Sequence, residues 1–141
     1  MSKNKNRRIH WSFWLIAIIT LVWNILGSVN FLVQMNPEMH TAYRDNERLI
    51  IEGRPIWATA GFAVAVFGGT IAGLLLLLKK PAAYFLFIAS LMGVLVTTTY
   101  TLGLGINFVA GEILGIIVMP VAIAIFLVWY SKFAENKDWL R

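Results

Sequence analysis

"GFAVAVFGGTIAGLLLLLKKPAAYFLFIASLMG", residues 61–93, decides how this chain folds. Two apolar runs meet at a very short turn, Lys79-Lys80-Pro81. Each belongs to a stretch long enough to cross a bilayer, which takes about 20 helical residues. So short a turn predicts an antiparallel helix pair. Along the first run, Gly61, Ala65, Gly69 and Gly73 recur at four-residue spacing and share one face of a helix. Small residues on one face let two helix backbones approach closely. The second run offers Ser90, Gly93, Thr97 and Thr101 as its facing stripe. The stripe predicts packing within the chain, with a homodimer face as the alternative.

Two further apolar runs flank this pair. The expected spans are residues 11–35, 56–78, 82–102 and 113–131. Of the 141 residues, 59% are hydrophobic and 13% are charged. Soluble domains carry roughly 25% charged residues. The composition therefore excludes an ordinary soluble domain and predicts one integral membrane domain, an all-α four-helix transmembrane bundle in a lipid bilayer. The basic, then apolar, N-terminal segment resembles a signal peptide, but no small-x-small site follows it, so an uncleaved helix is expected.

Charge sets the expected direction. Lys3, Lys5, Arg7, Arg8, Lys79, Lys80, Lys132, Lys137 and Arg141 fall on one side of the spans. Only Arg44, Arg48 and Arg54 fall on the other, among Glu38, Asp45, Glu47, Glu52 and Glu112. Lysine and arginine mark the cytoplasmic side. Both termini are therefore expected inside, in a bacterial inner membrane, and the 36–55 loop outside. This distribution accounts for the basic tail without nucleic acid as a partner. In the loop, Asn36 and Pro37 read as a helix start and Gly53 and Pro55 as its end. Met39, Ala42, Tyr43, Leu49 and Ile50 give this short outer helix an amphipathic pattern against Arg44, Asp45, Glu47 and Arg48.

Polar residues collect toward the outer half. The candidate lining is Asn24, Ser28, Asn30, Gln34, Thr97, Thr101 and Glu112. Amides and hydroxyls in hydrocarbon need partners, so they bond across helices, back-bond to their own helix or face a pocket. Trp23, in mid-span, is expected to give its indole N–H to a neighbouring helix carbonyl. Pro120 predicts a kink in span four, because it lacks the donor for the Ile116 carbonyl. Chemistry-bearing patterns are missing from the sequence. No charged residue lies at the centre of a span, and there is no cysteine, nucleophile–base set, phosphate loop or metal spacing. A non-enzymatic protein without metal or cofactor is expected.

The stretches "LVWNILGSVNF", "RPIWATAGFAVAVFGG", "LFIASLMGVLV" and "FLVWY" resemble those of small bacterial four-span inner-membrane proteins, some labelled sugar transporters. That resemblance implies transport but supplies no binding residues. Small multidrug resistance transporters share only the topology, since the glutamate of their first span is absent here. The function expected is binding or transport of a small polar solute in an outward-facing pocket. The alternative is a non-catalytic accessory or scaffold subunit whose small-residue stripe docks a membrane-protein partner.

Overall fold

In the computed structural model, residues 8–141 are described; Lys3, Lys5 and Arg7, which entered the charge count, lie outside them. Helix α1 spans Trp11–Gln34 and α2 Asp45–Glu52. They are followed by α3, Ile56–Leu77, α4, Ala83–Gly103, and α5, Ala110–Asn136. All but α2 are long and apolar enough to cross a membrane, and no strand occurs among the described residues. Their outward faces are apolar, with Ile18, Ile19, Leu26, Phe85 and Ile125 exposed. A surface of this kind suits lipid, where the helix satisfies its own backbone.

The helices form a folded row. α1 packs along α3, α3 along α4, and α4 along α5. The turn after α3 is sharp because Lys79 takes the left-handed conformation, φ 60°, and Lys80 N–H returns to the Leu75 carbonyl at 2.8 Å. The tightest crossing is between α3 and α4. A Cβ built on Gly93 would overlap the Gly61 carbonyl oxygen and stand 2.7 Å from Ala65 N. Gly61 faces Val96 just as closely, at 2.6 Å from Cγ1. Gly69 and Gly73 serve the other neighbour: a Cβ on Gly69 would overlap the Asn24 side chain, and one on Gly73 would stand 3.3 Å from Leu21 Cα. The small-residue stripe is thus occupied on both sides by the chain itself.

Boundaries differ from the sequence expectation chiefly in α5, which starts at Ala110 and ends at Asn136 instead of 113–131. At its start, Glu112 accepts the Val109 N–H at 3.2 Å and draws the first turn into the helix. At its end, Lys132 and Glu135 pair at 3.1 Å one turn apart, extending the helix in polar residues that hydropathy cannot follow. The 36–55 loop also differs. It forms a 3-10 turn over Pro37–Ala42 and then α2, instead of one helix. The break is at Tyr43, whose phenol donates to Asn30 Oδ1 at 2.6 Å and holds the residue, in extended backbone, against α1.

Packing is uneven along the bundle. The end bearing the termini and the Lys79 turn is filled by Phe13, Leu76, Phe87, Leu127, Tyr130 and Leu140. Phe13 joins α1 to the C-terminal segment there, stacking on Tyr130 at 6.5 Å and meeting the edge of Trp139 at 5.8 Å. Toward the α2 end, α1 and α5 do not pack along each other, and a cavity opens between them.

Candidate functional site

The cavity has a volume of about 440 Å³, within the range of roughly 300–1,000 Å³ of small-molecule sites. Its walls come from every span. α1 contributes Trp23, Leu26 and Asn30, α3 Phe62 and Val66, α4 Val94 and Thr97, and α5 Ile116, Pro120 and Ile123. α2 lies over the mouth with Glu47, Ile50 and Ile51, and Tyr100 ties it down by donating to the Ile50 carbonyl at 3.0 Å. Leu26, on the α1 edge, is 62% exposed, so the cavity also opens sideways along the α1–α5 seam.

Two widened helical turns shape these walls. The first is a π-helical turn over Val64–Gly68 in α3. Such a turn lengthens the backbone bonding pattern, and here the Gly69 N–H is shared between the Ala65 and Val66 carbonyls. Hydroxyls from both neighbouring helices and from α3 itself add further donors to the same carbonyls. Ser90 donates to the Ala65 carbonyl at 2.6 Å, and Ser28 and Thr70 reach the Val66 carbonyl at 3.2 and 2.8 Å. Ser28 and Thr70 lie 2.9 Å apart. The second π-helical turn, Ile113–Val118, stands just before Pro120. The missing donor of the proline is accommodated by widening the preceding turn.

The candidate lining residues divide accordingly. Asn24, Asn30, Gln34, Thr97 and Thr101 line the cavity. Asn24 gives its amide to the Thr20 carbonyl at 2.9 Å and packs on Gly69. Thr97 and Thr101 bond back to their own helix, at 2.9 Å each, which leaves the wall there less polar than its sequence. Ser28 belongs to the α3 turn and is not part of the wall. Glu112 is buried but sits outside the cavity, bonded to Asn46 of α2 at 2.9 Å and to the start of its own helix. Among the described residues no neighbouring-helix carbonyl takes the Trp23 indole; the ring stands 40% exposed on the cavity edge.

Sequence reasoning missed the residue that dominates the mouth. Arg54, between α2 and α3, is the one cationic side chain on the wall among the described residues. Its Nη1 donates to Gln34 Oε1 at 2.9 Å, and its guanidinium lies 5.0 Å from the Phe62 ring centre. Burial lowers its pKa from the ordinary value, with the Tyr100 phenol opposing. Arginine nevertheless stays charged at neutral pH. Tyr43, beside it, has its pKa raised by burial and by the Glu47 charge, so its phenol remains a neutral donor to Asn30. The one signal for Arg54 in the sequence is its place in "EGRP", where Gly53 and Pro55 fix the backbone between a helix end and a span start.

Fold and site together define a multi-pass, all-helical membrane protein with a ligand-sized cavity at one end. No protein-family model matches the chain, and neither a curated protein nor a solved structure does.

Proposed function

We propose that this is a non-catalytic protein that binds a small molecule in the α1–α5 cavity and moves it across or out of a bacterial inner membrane. The observation that carries the reading is the cavity itself, walled by all four spans yet open at the seam. The charge distribution supports an orientation with both termini cytoplasmic, α2 as an outer amphipathic helix and the cavity facing outward. Kinship with the small four-span inner-membrane proteins is part of the same proposal. The polar solute expected from the sequence has its partners at Asn30, Gln34 and Arg54, near the mouth. Deeper, the wall is mainly apolar, which favours a ligand with an apolar portion.

The accessory or scaffold reading has less support, because the stripe that was to dock a partner or a second copy is filled by α1 and α4. A cavity-filling substitution tests the choice. Ala124, 8% exposed, lines the cavity on α5. Ala124→Phe should leave the helical fold intact and abolish stabilisation by small molecules found in a thermal-shift screen of the parent. Undiminished stabilisation in Ala124→Phe would place the ligand elsewhere.

A further inference from the structure

We propose that the ligand is an anionic amphiphile drawn from the bilayer, its carboxylate or phosphate head on Arg54 and its long apolar chain in the α1–α5 seam. This rests on the cavity being a ligand site and names what fits it. Three observations lead there.

The first is an unfinished cation. Among the described residues no carboxylate lies within ion-pair distance of Arg54. Among the described residues its guanidinium meets a neutral amide, an aromatic face and the neutral Tyr100 phenol, and Nε is buried without any hydrogen-bond partner. Leaving a half-buried charge so poorly matched is costly unless an anion completes it. Nε and the second terminal nitrogen lie side by side on the planar guanidinium, the fork that carboxylate and phosphate oxygens match. Glu47, the one acid on the wall among the described residues, already accepts from Arg44 N at 3.1 Å at the start of its own helix.

The second is the shape and chemistry of the wall below. From Gly115 to Leu127 at the cavity floor, α5 lines the cavity over about 18 Å along a helix axis at 1.5 Å per residue. Val94, Ile116, Ile123 and Leu127 line that length. A long hydrocarbon chain matches it, whereas a compact polar solute would fill only the mouth.

The third is the route. The seam meets lipid at Leu26, and the aromatic contacts of Phe13 with Tyr130 and Trp139 close its other end. A chain already dissolved in the bilayer enters sideways without crossing water, while its head stays level with Arg54.

The test uses the full chain in a nonionic detergent and three probes: stearic acid brominated in mid-chain, its methyl ester, and inorganic phosphate. Bromine quenches tryptophan on contact, and Trp23 lies on the wall. At mildly alkaline pH the acid should quench saturably, and Trp23→Phe should remove that saturable part. The ester should bind about tenfold more weakly, the scale of one charge-assisted hydrogen bond. Arg54→Gln should weaken the acid to the level of the ester, with Arg54→Lys in between. Equal binding of acid and ester by the parent protein overturns the headgroup assignment while leaving the cavity as a ligand site. That comparison needs no variant, so a misfolded Arg54→Gln does not blunt it. Displacement of the acid by inorganic phosphate at equal concentration overturns the amphiphile in favour of a free anion. Absence of saturable quenching by either bromo-compound overturns this proposal and the ligand cavity together.

Discussion

Replacing Gly93 by alanine adds one methyl group at the closest approach of two backbones. Ordinary carbon contacts begin near 3.4 Å, and the new Cβ would stand 2.7 Å from Ala65 N while overlapping the Gly61 carbonyl. Neither partner is a side chain that can swing away. The α3 and α4 backbones must therefore part by roughly 0.7 Å or more at the crossing. Overpacking of this kind costs about 1–3 kcal/mol. The separation also stretches the Ser90–Ala65 hydrogen bond, one turn away, and interhelical bonds in membranes contribute ~0.6 kcal/mol on average. Set against the helix propensity that alanine gains, up to ~1 kcal/mol, the expected net loss is about 1–3 kcal/mol. Gly103→Ala is the matched control, because no atom of the described residues lies within 4 Å of its Cβ position. There, alanine should be neutral or gain up to ~1 kcal/mol through helix propensity. Unfolding in mixed micelles by sodium dodecyl sulfate, followed by circular dichroism, measures both. Equal stabilities of Gly93→Ala and Gly103→Ala would refute the close-packed crossing.

Ser90→Ala should destabilise the same crossing by about 0.6–2 kcal/mol in that assay, since it removes the interhelical donor to a carbonyl in the widened turn. Tyr100→Phe should free α2 from α4: hydrogen exchange of the Ile50–Glu52 amides should rise about fivefold, as loss of ~1 kcal/mol implies, with global stability little changed. The chain has no native cysteine, so single cysteines report sidedness. A cysteine at Arg44 should react with a membrane-impermeant maleimide on intact cells, and one at Glu135 only after lysis; the reverse pattern would invert the bundle.

The parts of this structure that were legible in the sequence are those fixed by helical spacing. Gly61, Gly69, Gly73 and Gly93 follow from periodicity because backbone contact tolerates almost nothing larger. Pro120 marked a disturbance in α5, since its missing N–H is a local chemical fact. The widened turn at Val64–Gly68 was not legible, because alanine, valine and phenylalanine carry no signal for it; it depends on Ser28 and Ser90 arriving from other helices. Thr97 and Thr101 stand on the cavity wall with their hydroxyls bonded back to their own helix, one of the alternatives their sequence left open. Glu112 and Arg54 show the limit most clearly. Both lie at the edge of a span and read alike as outer charges. Only the fold-back of α2 over the bundle gives Glu112 a partner in Asn46 and leaves Arg54 on the cavity wall without an acid.

The most direct measurement is native mass spectrometry of the protein extracted gently from its own membrane, beside the Ala124→Phe variant. The account predicts a small bound mass on the parent chain, retained through mild activation and missing from the variant. A bare parent chain, or the same mass on both proteins, would contradict a ligand held in the α1–α5 cavity.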